Sequence, residues 1–396
     1  MHCLALISAV DPLLVDLTAL ALHGEEALVL TASLHDDGAP AASGPSAPGA
    51  EDGFIRLTSA QVPINGVDGE DGIDRGAQAP PTLHVARTSE CWTCSLREVL
   101  VAIAEDRARL EPDGATVVLL PPGIELIHLA PRLAEDLDDV PGAALAGLAH
   151  VIDVDTAARD LLTHQELPDS VVAGEGQCAG EVHMVALGYA DVVVALGRDP
   201  VGLDLVEHLR PHDTLMLPGL EAPLLPELLA LRHDADAAVA RVHPATTRAW
   251  GGPADHGVWT LDLSASLPFH PGRLRELVAD LAGYGLCARG CFWLPSRPGR
   301  VCAWEVAGGA VSVGDAGTWD EAPEWDPDGM PGGRAPDGVI GVAGPRCHLV
   351  VTGLGDAQMR ERVRQAFGLV LLREDEMAQA MSWIGADDGL GDWFGS

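Results

Sequence analysis

Three short apolar runs constrain the fold of this chain more than any other feature of its sequence. They span residues 115–120 (ATVVLL), 149–154 (AHVIDV) and 190–196 (ADVVVAL). Continuous runs of β-branched and other apolar residues are typical of strands buried on both faces, as in a parallel sheet. Helix-like stretches separate the runs. This alternation predicts an α/β fold with a doubly wound parallel sheet, in a domain that covers residues 1–235.

The pattern changes after residue 235. Residues 236–257 have the composition of a linker, and residues 258–379 predict a smaller α+β domain. Its predicted helices are 271–284 and 356–367, and its predicted strands are 258–264, 290–295, 301–306, 310–313 and 348–353. Gly308 and Gly309 lie between two of these strands, where a hairpin turn is expected.

Segments at 36–53, 66–81 and 320–338 are rich in Pro, Gly and acidic residues, which predicts flexible insertions. Residues 380–396 form an acidic tail that carries Trp383 and Trp393. Such a tail either recruits a basic partner or packs Trp383 onto the C-terminal sheet. The sequence leaves both readings open.

Charge excludes several classes of function. The chain of 396 residues has 24 Lys+Arg against 59 Asp+Glu, a formal net charge of −35, and no lysine at all. Broad contact with nucleic acid or with an anionic membrane needs a basic face, so neither partner is expected. No stretch reads as a signal peptide or a membrane span. The eight cysteines are scattered, and we expect a reduced, cytoplasmic protein.

Cys91 and Cys94 form a close pair, just before a helix predicted over residues 95–110. A C-x-x-C spacing lets two thiolates reach one tetrahedral ion, and a helix N-terminus lowers a thiol pKa. The pair is therefore a candidate zinc site. The same spacing also fits a thioredoxin-like redox pair, or two thiols without a metal. Further ligands are required for zinc, and the candidates by chemistry are Cys3, His128, Cys178 and His183.

The segment 88–100 (TSECWTCSLREVL) resembles the metal-binding loop and helix of CobW-type GTPases, which normally read C-x-C-C-T-L-R-x-D-L. Segments that resemble the CobW C-terminal domain lie at 267–277, 290–304, 308–319 and 371–377. The C-x-x-C loop and a terminal Gly391-Asp392-Trp393 are most similar to actinobacterial GTPases that recruit a ribosome hibernation factor. The resemblance implies a P-loop GTPase-like parallel-sheet domain followed by an α+β CobW C-terminal domain.

The nucleotide site that this resemblance implies is degenerate. A P-loop needs glycines around the phosphates and a lysine, but residues 8–16 (SAVDPLLVD) contain neither. Asp11 instead predicts an N-cap carboxylate where phosphate would sit, with Pro12 at the first helical position. Gly123, Asp153 and Asp199 remain at the family's other nucleotide-binding positions, and the two aspartates read equally well as ordinary strand-end residues. GTP, magnesium and GTPase turnover are therefore not expected, and no catalytic residue is assigned.

The resemblance implies a role in the zinc-limitation response, as an adaptor that brings a hibernation factor to ribosomes. The alternative is a zinc metallochaperone or zinc-homeostasis GTPase, whose partner would be a zinc-dependent client. The lost phosphate loop favours the adaptor. Both readings predict a protein partner.

Overall fold

A computed structural model describes residues 1–36, 53–59, 81–167, 177–283, 285–323, 344–355 and 357–394. The predicted insertions at 36–53, 66–81 and 320–338 lie almost wholly outside these residues. The strands are His2–Ala9 (β1), Leu28–His35 (β2), Phe54–Ser59 (β3), Thr82–Ala86 (β4), Ala115–Leu119 (β5), Ala143–Asp153 (β6), Val192–Leu196 (β7), Leu215–Leu217 (β8), Val258–Ala265 (β9), Leu286–Phe292 (β10), Arg300–Ala307 (β11), Ala310–Thr318 (β12) and Cys347–Leu354 (β13).

The α-helices are Pro12–Ala21 (α1), Trp92–Leu110 (α2), Leu126–Asp138 (α3), Val154–Leu162 (α4), Ala179–Tyr189 (α5), Pro200–Leu209 (α6), Leu224–Ala230 (α7), Ala235–Val242 (α8), Pro271–Leu281 (α9), Ala357–Val370 (α10) and Glu374–Ala380 (α11). Short 3-10 helices lie at Pro244–Thr246, Met381–Trp383 and Gly391–Phe394.

The first sheet has the order β4-β3-β2-β5-β1-β6-β7-β8 within the described residues. In sheet order, the neighbouring strands β2, β5, β1, β6, β7 and β8 are all parallel. Strands β3 and β4 extend the β2 edge of the sheet with antiparallel pairs. Side chains of β1 alternate between two apolar clusters, because successive residues of a strand point to opposite faces. Leu4 and Leu6 face α2 and α3, while Ala5 and Ile7 face α1 and α7. The predicted doubly wound parallel sheet is therefore confirmed.

The second sheet is antiparallel, with the order β12-β11-β10-β13-β9. Its core holds Phe269, Phe292 and Trp304, and α9 and α10 contribute Leu274 and Phe367. The predicted hairpin between β11 and β12 is confirmed. Its two central residues, Gly308 and Gly309, have φ angles of +55° and +74°, which suit a two-residue turn of the primed type.

The two domains touch through that hairpin. The Gly308 amide donates to the Leu161 carbonyl at the end of α4, over 2.7 Å. Gly180, in the first turn of α5, lies so close that a Cβ there would come within 2.5 Å of the Gly308 nitrogen. A Cβ on Gly308 would in turn lie 2.6 Å from the Cys178 sulfur. Glycine is therefore required on both sides of this contact.

Three predictions of local structure need correction. The segment predicted as a linker contains α8, where Ala238 and Val242 are buried against the first domain's core and Asp234 caps the helix. Its high alanine content permits a helix, and the buried face supplies the stability that the sequence alone does not reveal. Strand β10 begins four residues earlier than predicted. Helix α2 begins at Trp92, so that the C-x-x-C pair lies within its first turn.

The acidic tail packs against the C-terminal domain. Trp393 and Phe394 contact its core, and the Trp383 ring meets His270 edge-on at 5.0 Å. Asp388 is buried and pairs with Arg297 at 3.0 Å. The tail therefore packs onto the domain, with Trp383 against the start of α9 instead of the sheet, and recruitment of a basic partner stays a prediction.

No helix in the described ranges combines the length and the apolar character needed to cross a bilayer.

Candidate functional site

The turn from β1 into α1 stands where a phosphate loop would be. Asp11 adopts extended backbone angles, and its Oδ1 accepts a hydrogen bond from the Leu13 amide at 2.8 Å. Pro12 occupies the first helical position, so the predicted N-cap is confirmed. The helix N-terminus attracts anions, and here the chain supplies its own carboxylate. Leu14 and Val15, in the same turn, are buried in the core.

Beneath this turn lies a buried polar chain that the sequence analysis missed. Ser8 Oγ is 2.9 Å from His150 Nδ1, and His150 Nε2 is 2.9 Å from His183 Nδ1. Burial lowers the pKa of His150 well below its usual value, and the neighbouring His183 adds to this effect. Burial likewise lowers the pKa of His183 to about 4, against an opposing effect of Asp160. Both rings are therefore neutral at physiological pH.

Asp153 and Asp199 lie on the same edge of the sheet, after adjacent strands β6 and β7. The Asp153 side chain accepts from the Asp155 amide at 2.9 Å and caps α4. The Asp199 side chain accepts from the Gly202 amide at 3.0 Å and caps α6. Asp155 joins the two turns, because its Oδ1 accepts from the Arg198 and Asp199 amides, and these bonds lower its pKa. Each of the two predicted carboxylates thus has a capping partner.

Gly123 lies in the turn that follows β5, on the other side of β1, with a φ of +89°. The structure therefore places all three predicted nucleotide-site residues along the carboxyl edge of the parallel strands, where α/β proteins bind ligands. The glycine turn and the lysine of a phosphate loop are nevertheless absent from the described part of this edge. The turn before α1 offers a carboxylate in place of glycine amides, and the chain has no lysine. These residues do not fit GTP–magnesium.

The Cys91–Cys94 pair stands at the start of α2. Cys91 is the N-cap residue, and its sulfur accepts a hydrogen bond from the Cys94 amide at 3.2 Å. Both thiols are exposed and unbridged. A helix N-cap sulfur that receives a backbone N–H is a favourable position for a thiolate.

Electrostatics separate the two thiols. The Cys94 side chain donates a hydrogen bond to Cys91, and this bond is the main reason that the Cys91 pKa lies below its usual value. Amides of the helix start and the positive charge of Arg87 act in the same direction. The same side-chain bond raises the pKa of Cys94. Of the two thiols, Cys91 is therefore the one that loses its proton more readily.

The loop before the pair is held in place by a buried hydroxyl. Ser95 Oγ accepts from the Thr88 amide at 3.2 Å and from the Ser89 amide at 3.1 Å. Arg87 lies over the Trp92 ring at 4.5 Å, which fixes the other side of the loop. The thiols are thus exposed on a turn whose backbone is well supported.

The other candidate zinc ligands lie elsewhere. Cys178 is buried beside Ala307 at the domain contact, and His183 bonds to His150. His128 faces Glu125 on α3, and Cys3 begins β1 at the opposite edge of the sheet. Within the described ranges, no group of three or more His, Cys, Asp or Glu residues is arranged to hold a metal ion.

In the C-terminal domain, His270 has a structural role. Its Nδ1 accepts from the Gly272 and Arg273 amides and caps α9. Trp304 is buried in the core, Trp293 donates to the Ser266 carbonyl at 3.2 Å, and Trp319 lies under Arg346. These residues pack and cap the elements of the domain.

Comparison with known proteins defines the second domain. Residues 258–370 match the family described as "Cobalamin synthesis protein cobW C-terminal domain". The chain thus consists of a parallel α/β domain followed by a CobW C-terminal domain. The match covers the antiparallel sheet together with α9 and α10.

Two curated relatives match a longer part of this chain than the second domain alone. The "Zinc chaperone Rv0106" of Mycobacterium tuberculosis is 29% identical over 326 residues, which cover 76% of this chain and 78% of that protein. The protein Mb0109 of Mycobacterium bovis matches with the same identity and coverage. These similarities support the CobW-type resemblance.

Among solved structures, the Zn(II)-bound YjiA GTPase from E. coli is similar over 94% of this chain and 99% of its own. The identity is 12% and the TM-score is 0.34. A TM-score this low carries no argument about fold or function.

Proposed function

We propose that this protein carries zinc to a zinc-dependent client, with the ion as cargo on the Cys91–Cys94 pair. The observation that carries the proposal is the exposed pair itself, in which the Cys91 sulfur accepts the Cys94 amide at the helix start and its pKa is lowered. The similarity of this chain to a protein named zinc chaperone favours zinc binding over a redox reaction of the same thiols.

The chemistry follows from the two sulfurs. Cys91 binds the ion as a thiolate, and Cys94 loses its proton when it becomes the second ligand. Zinc prefers four ligands in a tetrahedral arrangement. Two positions are then left for water or for ligands of the client, which allows the ion to pass from one protein to the other. A surface site with few ligands suits transfer better than permanent storage.

Nucleotide has no part in this proposal. The Asp11 carboxylate caps α1 where a phosphate loop would present glycine amides, and the chain has no lysine. We therefore expect no GTP affinity tighter than about 100 μM, equivalent to about 5.5 kcal/mol. Calorimetric titration with GTP–magnesium tests this expectation. Steady GTP hydrolysis with a micromolar KM, measured in a separate turnover assay, would contradict it.

A second candidate is the adaptor that recruits a hibernation factor to ribosomes when zinc is scarce. The degenerate phosphate turn supports it, because an adaptor needs the fold but no nucleotide cycle. Both roles belong in the cytoplasm. Co-sedimentation of the hibernation factor with ribosomes, with and without this protein, separates the two. A carrier leaves the bound amount unchanged, whereas an adaptor increases it.

The zinc proposal is tested with the full chain and a competing chromophoric chelator. The Cys91→Ser, Cys94→Ser double variant should lose stoichiometric zinc while its circular dichroism spectrum stays unchanged. Cys3→Ser is the matched control, since Cys3 is a half-exposed thiol away from the pair. Equal zinc content in the double variant and the parent would refute the assignment.

A further inference from the structure

Helix α1 exposes a row of leucines. Leu13, Leu17 and Leu20 follow one another at helical spacing, so they lie on one face of α1. Their exposed fractions are 60%, 40% and 68%. The opposite face of α1, with Leu14 and Val15, packs into the core.

The size of this leucine face sets it apart from scattered surface leucines. Three adjacent leucines at these exposures present an apolar area of roughly 300 Å², and contiguous patches of that size on monomers are often interaction sites. Other exposed leucines of the described residues, such as Leu110 and Leu369, lie on separate helices. The leucine face is therefore a candidate docking surface.

Carboxylates accompany the leucines. Asp16 lies on the same face, three residues after Leu13 and four before Leu20. Glu25 and Glu26 follow the end of α1 and are exposed. None of the three forms an ion pair with a described residue, and α1 itself contains no basic residue. The charge around the leucine face is thus negative and unbalanced.

We propose that the leucine face binds a basic amphipathic helix of a partner protein. Leucines of the partner would cover Leu13, Leu17 and Leu20, while its lysines or arginines would meet Asp16, Glu25 and Glu26. A second copy of this chain fits less well, because the same carboxylates would face each other. An anionic membrane fits less well too, because helices that bind it carry basic polar faces. The inference goes beyond zinc transport, and its test contains no zinc.

The probe is a synthetic amphipathic helix of leucine and lysine, and its binding to the full chain is followed by fluorescence anisotropy. The Leu13→Gln, Leu17→Gln, Leu20→Gln variant should weaken binding at least about tenfold. Glutamine preserves helix propensity, and the changed side chains lie in solvent, so the fold should survive. The matched control is Leu110→Gln, Leu369→Gln, which removes equally exposed leucines elsewhere and should leave binding unchanged.

The charge component has its own variant. Asp16→Asn, Glu25→Gln, Glu26→Gln should weaken binding severalfold at low salt and flatten its salt dependence. Hydrogen exchange should show protection of residues 12–27 by the peptide.

Several outcomes would overturn the proposal. If the leucine variant binds the peptide as tightly as the parent, general attraction to an acidic chain explains the binding. Equal binding of a leucine–glutamate helix would show that charge has no role. Sedimentation as a dimer that the leucine variant converts to a monomer would identify a second copy as the occupant. Binding to anionic vesicles through the same leucines would identify a membrane.

Discussion

The attachment of the C-terminal tail should depend on one buried carboxylate. Asp388 accepts hydrogen bonds from Ser296 Oγ at 2.6 Å and from Arg297 at 3.0 Å, and its side chain is only 3% exposed. Arg297 also lies over the Phe394 ring at 4.1 Å. Asp388→Ala removes these bonds and leaves the Arg297 charge without its partner, so we expect the tail to detach.

The magnitude follows from the burial of the pair. Removing one member of a buried ion pair costs about 3–5 kcal/mol, and a hydrogen bond to a charged group contributes about 1.5–3 kcal/mol. Because Arg297 is 27% exposed and can regain water, we expect a local cost within the hydrogen-bond range, about 2 kcal/mol. At 1.4 kcal/mol per factor of ten, the tail should open about thirtyfold more often.

Hydrogen exchange measures this opening directly. The Gly385 and Trp393 amides report on the tail without bonding to Asp388, since they donate to the Ser296 and Leu390 carbonyls. Both should exchange about thirtyfold faster in Asp388→Ala. Asp387→Ala is the control, because Asp387 is exposed and accepts only from the Gly389 amide. Exchange within threefold of the parent would refute the idea that this ion pair anchors the tail.

The pH dependence has a definite sign. Burial alone would raise the pKa of Asp388, but the hydrogen bonds from Ser296, the Leu390 amide and Arg297 outweigh it and lower the pKa. A carboxylate whose pKa is lower in the folded state contributes its stability above its ordinary pKa near 4. That contribution should disappear as the pH falls through the lower folded value. The contribution of Asp388 to tail attachment should therefore be constant between pH 5 and 8.

Three further predictions concern the first domain. Alkylation of Cys91 should show a pH midpoint below the ordinary thiol value of about 8.5, and Cys94→Ala should raise that midpoint, because the side-chain hydrogen bond is lost. Stability should decline as the pH falls from about 6.5 toward 4, because the buried His183 resists a proton that the unfolded chain accepts; His183→Gln should flatten the urea-unfolding midpoints over this range. Asp11→Ala should cost about 1 kcal/mol in urea unfolding by removing the cap, and calorimetry should detect no gain of GTP binding. The first prediction is contradicted if the alkylation midpoint of Cys91 does not change in the Cys94 variant. The second is contradicted if the pH profile of His183→Gln runs parallel to that of the parent, and the third if Asp11→Ala is as stable as the parent.

Local sequence patterns were sufficient for much of the fold. The apolar runs predicted β5, β6 and β7, and Asp11 with Pro12 predicted the start of α1, because strand burial and helix capping depend on neighbouring residues. Helix α8 was missed because its stability comes from packing against distant elements. Strand β3 was missed because it is short and lies between segments of low complexity.

For the candidate sites too, features set by neighbouring residues were predictable, and features set by distant contacts were not. The position of the Cys91–Cys94 pair at a helix start was predictable from spacing and a resemblance. The His150–His183 pair was not, since its members are 33 residues apart and only the fold brings them together. A histidine inside an otherwise apolar strand was the one available signal. The anchoring of the tail also depends on a contact between distant residues, Arg297 and Asp388.

The contact between Gly180 and Gly308 has a consequence for how the two domains can evolve. The atoms nearest to Gly180 are all backbone atoms, so no side chain can be shortened to make room for a Cβ at that position. Alanine at either position should separate the domains, and alanine at both should make matters worse instead of restoring the fit. Sequence divergence can therefore exchange the apolar side chains that pack around this point for others of similar volume, whereas the close approach at Gly180 permits no residue other than glycine.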